Sequence, residues 1–143
     1  MDDLIDCPSP NFDERDQPVS MVVLHYTGMA DAASAIARLR DPEARVSCHY
    51  LVAEDGQVLR MVPEDKRAWH AGLSYWRGLH NVNAASIGIE IVNPGHEYGY
   101  RPFTSHQREA LVRLPAGLVE RYQIPRANVV GHSDVAPARK QDP

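Results

Sequence analysis

The segment Ser86-Ile87-Gly88-Ile89-Glu90-Ile91-Val92 constrains the fold more than any other part of the chain. Its apolar residues recur at every second position. As a strand it therefore carries Ile87, Ile89 and Ile91 on one face, and Gly88 and Glu90 on the other. The isoleucine face needs a hydrophobic layer packed against it. The other face pairs a carboxylate with a residue that has no side chain, which predicts open space in front of Glu90, as a site would need.

Other segments supply the layers. Met21–Tyr26 is a valine-rich run that predicts a second buried strand, ending in a histidine. Asp31 caps a predicted helix that reaches about Leu39 and stops at Asp41-Pro42. Two apolar runs, 49–53 and 58–62, flank Asp55-Gly56, which predicts a hairpin whose two central residues both take positive φ. Thr104 and Gln107 have the spacing of a capping box. Leu111, Leu114, Leu118 and Tyr122 continue from it as a helical stripe, which Pro115 should kink or split. Val129-Val130 is a brief strand leading into His132. The expected fold is α/β, a mixed central β-sheet flanked by helices, in a single domain covering residues 19–143. Residues 1–18, with Pro8, Pro10 and Pro18, are expected to form an irregular arm.

At 143 residues the chain is long enough for one core without staples. A formal charge of −4 argues against a partner built of nucleic-acid phosphates. Cys7 and Cys48 are too few for a disulfide framework or a thiolate zinc site. The N-terminus has no basic start or apolar stretch, and no run approaches the ~20 apolar residues of a membrane span. The expected location is cytoplasmic, or periplasmic if a leader has been removed.

The chemistry is concentrated at the C-terminus. Residues 131–142 bring an imidazole (His132), an ammonium (Lys140) and a carboxylate (Asp142) into one short segment. With His25 from the first strand, His132 and Asp142 make a three-ligand set that leaves a fourth zinc position open, the catalytic rather than the structural pattern. One zinc per chain is expected. Glu90 has two readings, a proton-transfer group or a strand carboxylate paired with a cation, and Lys140 is either an oxyanion donor or a solvated lysine. His49 is expected to orient a neighbour or pack in the sheet. His70, beside Trp69, either lines a substrate groove or is structural. Arg77 and Asn83 are candidates for hydrogen bonding to sugar or peptide. His80, His96 and His106 read as surface or loop residues, and Asp134 as a turn or cap residue.

Five motifs occur in one order: Leu24-His25-Tyr26-Thr27, Ser47-Cys48-His49-Tyr50-Leu51-Val52, Ala68-Trp69-His70-Ala71-Gly72, Ser86-Ile87-Gly88-Ile89-Glu90 and the 132–142 segment. Together they resemble the type-2 N-acetylmuramoyl-L-alanine amidases, the family of AmpD and AmiD, related to phage amidase lysozymes and peptidoglycan recognition proteins. The resemblance runs from about Met21 to Pro143. It implies zinc held by His25, His132 and Asp142, with Glu90 and Lys140 as catalytic groups. It also implies cleavage of the amide joining the lactyl group of N-acetylmuramic acid to L-alanine. Muropeptides are the partners it implies. Where phage-type relatives carry a tyrosine before the equivalent of His49, this chain has Cys48, and it carries the glutamate those relatives lack. It thus sides with the AmpD and AmiD branch. The absent leader fits recycling of 1,6-anhydro-muropeptides, whereas residues 89–97 look more AmiD-like. One rival is a non-catalytic peptidoglycan receptor, which zinc stoichiometry would separate. Another is an endolysin, disfavoured by the lack of a wall-binding domain or basic surface.

Overall fold

The computed structural model describes residues 4–72, 75–76, 78, 81–94 and 102–135. The alternating segment forms β7 (Ser86–Ile91), a central strand of the main sheet. In chain order the other elements are β1 (Leu4–Asp6), β2 (Phe12–Glu14), β3 (Met21–Tyr26), α1 (Ala32–Arg40), β4 (Tyr50–Val52), β5 (Val58–Arg60), β6 (Lys66–Ala68) and α2 (Val82–Ala85). After β7 come α3 (Ser105–Tyr122), a 3-10 turn (Arg126–Asn128), β8 (Val129–Gly131) and α4 (His132–Val135). The main sheet has six strands in the order β1-β5-β4-β7-β3-β8, and β2 pairs with β6 separately. β4, β7, β3 and β8 run parallel, while β5 is antiparallel to β4, so the sheet is mixed as expected.

The two faces of β7 do different jobs. Ile87 and Ile89 join Val22, Tyr50 and Val52 against Ala110, Leu114 and Leu118 of α3. Leu118 is fully buried, and trimming such a leucine to alanine costs about 2–5 kcal/mol. On the other face, one apolar cluster gathers Ala35 and Leu39 of α1 around Leu51 and Met61. A second joins Met21, Val23, Ala71, Val82 and Val130. The histidines share this face.

Local signals hold at the helix starts. Asp31 Oδ1 accepts the Ser34 N–H at 2.8 Å and opens α1. Thr104 and Gln107 make both capping-box bonds at the start of α3. α3 runs unbroken through Pro115, so the expected split does not occur. Pro115 and the leucines beside it are buried, and their packing offsets the one backbone bond the proline removes.

Two expectations are corrected. The hairpin forms, but Gly56 alone takes positive φ (86°). Gly56 N–H donates to the Ala53 carbonyl and Ala53 N–H to the Gln57 carbonyl, each at 2.9 Å, a three-residue loop with one left-handed residue. Asp55 Oδ1 accepts the Gln57 N–H at 2.9 Å, stabilising Asp55 without positive φ. The reading of residues 1–18 as irregular also fails. β1 pairs with β5, and β2 with β6. Between them Asn11 is buried and donates to the Asp41 and Val46 carbonyls, each at 2.9 Å. Strands of three residues are too short for alternation to reveal. Among the described residues no helix is long and apolar enough to cross a membrane.

Candidate metal centre and active site

Three strand ends build the site. His25 is the fifth residue of β3 and Glu90 the fifth of β7, directly opposite one another in a parallel pair, so they share a face. His132 follows β8, on the far side of β3. All three sit at the carboxyl ends of parallel strands, where open α/β sheets place their sites. Backbone bonds pin the strand ends, with Thr27 N–H donating to the Ile91 carbonyl and Gly28 N–H to the Asn93 carbonyl.

The histidine nitrogens face one another in a defined sequence. His25 Nδ1 lies 2.9 Å from His132 Nδ1. On the other side of its ring, His25 Nε2 lies 3.0 Å from His70 Nδ1, and His70 Nε2 lies 3.0 Å from Ser86 Oγ. The Ser86 hydroxyl donates to the Val82 carbonyl at 2.6 Å. A hydroxyl has one proton, so Ser86 Oγ must accept from His70 Nε2–H. With its single ring proton on Nε2, the neutral imidazole of His70 has an acceptor at Nδ1. His25 therefore donates from Nε2 and presents a lone pair at Nδ1. His132 Nε2 lies 2.8 Å from the Ala71 carbonyl, which fixes the same tautomer there. In these tautomers two nitrogen lone pairs would converge, an arrangement that favours a cation between them.

Such an arrangement fits zinc. Ligating histidines characteristically donate their second N–H to a carbonyl or another acceptor. Two nitrogens sharing a tetrahedral zinc would stand about 3.3 Å from each other, a small opening from the observed spacing. Among the described residues no group of three or more histidine, cysteine or acidic side chains is arranged to hold a metal ion. Asp142, Lys140 and Arg77 lie outside the described residues, as do His80 and His96.

The space expected in front of β7 is not empty. A Cβ on Gly88 would stand 2.4 Å from His70 Cγ, so the glycine makes room for the imidazole rather than for a ligand. His70 is buried. Asn83 also turns inward, its Oδ1 accepting the N–H of His70 at 3.1 Å and of Ala71 at 2.8 Å. Trp69 is half-buried, with the Arg45 guanidinium 5.7 Å from its ring centroid. Asp134 Oδ2 accepts the Gly131 N–H at 2.8 Å, a local turn contact.

Beneath these residues lies a group that sequence reasoning missed. Arg15 donates to the carbonyls of Glu64, Lys66, Ala84 and Ser86 at 2.8–3.2 Å. His49, fully buried, accepts the Gly88 N–H at Nδ1, and its Nε2 lies 2.9 Å from the Lys66 carbonyl. Burial holds His49 neutral, its pKa pushed down to about 3, with the nearby Arg15 charge adding to the effect. No periodicity or motif marked Arg15, an isolated cation in an acidic stretch. Cys48 is buried, and burial followed by the Glu90 charge raises its thiol pKa well above the ordinary value, which makes it inert.

Comparison with known proteins identifies the family. The family model described as N-acetylmuramoyl-L-alanine amidase matches residues 15–143. The chain is 40% identical over 137 residues to N-acetylmuramoyl-L-alanine amidase AmiD of Escherichia coli (strain K12), covering 87% of this chain and 49% of AmiD. It thus spans about half the length of that relative. A crystal structure of a selenomethionine AmpD derivative superposes with a TM-score of 0.86 at 34% identity, covering 100% of this chain and 88% of that one. E. coli AmiD in complex with the substrate anhydro-N-acetylmuramic acid-L-Ala-D-gamma-Glu-L-Lys superposes with a TM-score of 0.80 at 36% identity, covering 93% of this chain and 61% of that one. This chain belongs to the N-acetylmuramoyl-L-alanine amidase family that includes AmpD and AmiD.

Proposed function

We propose that this chain is a zinc-dependent amidase that hydrolyses the bond between the lactyl group of (anhydro-)N-acetylmuramic acid and the L-alanine of the stem peptide. The observation that carries the metal reading is the 2.9 Å approach of His25 Nδ1 to His132 Nδ1. The substrate assignment rests on family membership and on the anhydro-muropeptide bound to AmiD.

In this reading His25, His132 and Asp142 would hold the zinc. When bound, zinc supplies a Lewis acid that polarises the carbonyl and acidifies water. Glu90, in register with His25, takes a proton from the attacking water and returns it to the departing alanine nitrogen. The water oxygen bonds to the lactyl carbonyl carbon, the C–N bond breaks, and a lactyl carboxylate and a free amine result. Lys140 donates to the carbonyl oxygen as it gains charge, a contribution typically worth ~10²–10³ in rate. Arg77 and Trp69 are candidate substrate contacts.

The test is mass spectrometry of products after zinc-loaded protein meets a soluble 1,6-anhydro-muropeptide and, separately, purified sacculi. Peptide released from the small substrate alone supports a recycling enzyme; release from both supports a broader, AmiD-like amidase. Release from neither, with zinc bound, overturns the amidase reading. His132→Ala should abolish zinc retention and turnover together, and a fully active variant would remove the metal reading.

A further inference from the structure

We infer that His70 is a positioning residue that sets the direction of the first metal ligand: it accepts the His25 Nε2–H and so turns the His25 Nδ1 lone pair toward His132. This rests on the metal reading proposed above, but the geometry that carries it lies one layer further in.

Two adjacent residues set the two histidine ligands. His70, through its side chain, orients His25 at 3.0 Å, and Ala71, through its carbonyl, orients His132 at 2.8 Å. The Asn83 carboxamide oxygen accepts both of their backbone N–H groups. One short stretch of backbone, fixed by one side chain, thereby dictates both ligand tautomers. His70 is itself held on two sides. Ser86 Oγ accepts from its Nε2, and the ring lies against Gly88, with no room for a Cβ there. The strand that presents Glu90 thus also supplies, at Ser86 and Gly88, the cradle for the group that aims His25.

The pairing has a directional consequence. Were His70 Nδ1 to carry the proton, His25 Nε2 would have to accept it. His25 would then hold its own proton on Nδ1, the atom facing His132, and that atom could no longer ligate. A histidine rather than any apolar filler is needed beside Gly88 because only an acceptor at that point excludes the wrong tautomer of His25. Such outer ligand partners are typically worth about 10–100-fold in metal affinity.

Three variants of the full chain test this, with zinc affinity read by competition against a chromophoric chelator. His70→Leu removes the acceptor and should weaken zinc binding by about 10–100-fold. His70→Asn puts Oδ1 where Nδ1 stood and should restore most of that loss. Ser86→Ala, which only loosens His70, should fall between wild type and His70→Leu. Equal zinc affinity for His70→Leu and wild type, or no rescue by His70→Asn, overturns the proposal. Should His70→Leu fail to fold, long-range ¹H–¹⁵N spectra of the zinc-loaded wild type decide it. A protonated Nε2 with an unprotonated Nδ1 on His70 supports it; a proton on Nδ1 overturns it. If the wild type takes up no zinc, the metal reading falls, and the same spectra without zinc still report whether His70 holds His25 in the inferred tautomer.

Discussion

Glu90 and His49 show how position decides what a titratable side chain can do. Glu90 stands beside His25 on the adjacent strand, where its proposed task needs a carboxylate. Glu90→Gln keeps nearly the same volume and should leave zinc content unchanged while lowering kcat by about 10²–10⁴. Metal analysis alongside steady-state rates checks both halves, and an active variant would exclude Glu90 as the proton acceptor. His49 is the reverse case, a buried ring fixed in the neutral form whose work is structural. Its folded-state pKa of about 3 lies below the 6.5 expected of an unfolded chain. As pH falls below 6.5 the unfolded chain takes up a proton that the folded chain refuses. The contribution is therefore complete above pH 6.5 and is lost as pH drops toward 3, by up to about 5 kcal/mol over that window. His49→Gln should be less stable at neutral pH and show a flatter decline on acidification. Denaturant midpoints measured between about pH 7 and 4 read the difference in slope.

Among the elements, α3 illustrates what a local signal can and cannot convey. Thr104 was legible as a cap because the box is a four-residue pattern, and both of its bonds form. The Thr104 hydroxyl also donates to the Glu54 carbonyl at 2.6 Å, tying the helix start to the β4–β5 hairpin. Thr104→Ala should therefore cost at least the ~1 kcal/mol of an ordinary cap, or about 3 °C in Tm, with Thr104→Ser recovering most of it; thermal unfolding of the three proteins checks this. The other end of α3 was not legible. The hydroxyls of Tyr122 and Tyr50 both donate to the Glu64 carboxylate, which also lies 3.4 Å from Arg121. Those residues are scattered over 73 positions of sequence, and no spacing rule joins them. The same division runs through the sheet. β3, β7 and β8 were readable from apolar runs, whereas β1 and β2 have only three residues each and exist because of their partners. In the site, His25, His132 and Glu90 were marked by motif and strand end. The roles of Ser86, Gly88 and Asn83 emerged only once His70 had a place, since a hydrogen-bond direction has no sequence signature.

At the scale of the whole molecule, Arg15 joins elements that lie far apart in the chain. Its guanidinium reaches the Lys66 carbonyl on β6 of the small sheet, the Glu64 carbonyl before it, and the Ala84 and Ser86 carbonyls where α2 passes into β7. The planar fork delivers these bonds from one group, and its Nη2 also stands 3.0 Å from His49 Nε2. The N-terminal segment therefore fastens the strand whose side chains hold His70 and present Glu90, far from where its own sequence begins. Arg15→Met keeps most of the buried stem but removes the guanidinium donors from four carbonyls, of which that of Lys66 retains His49 Nε2 nearby, and should destabilise the fold by about 3–5 kcal/mol. Arg15→Lys should recover little of that, because a single ammonium cannot span four acceptors that a guanidinium meets in one plane. Zinc affinity should fall with stability in both variants, since the Ser86 backbone that Arg15 holds is the base of the His70 cradle. Chemical denaturation and chelator competition on the two proteins test this together. Wild-type values for Arg15→Lys would show that only the charge of Arg15 matters, whereas loss of both properties would show that its geometry carries the connection between arm and site.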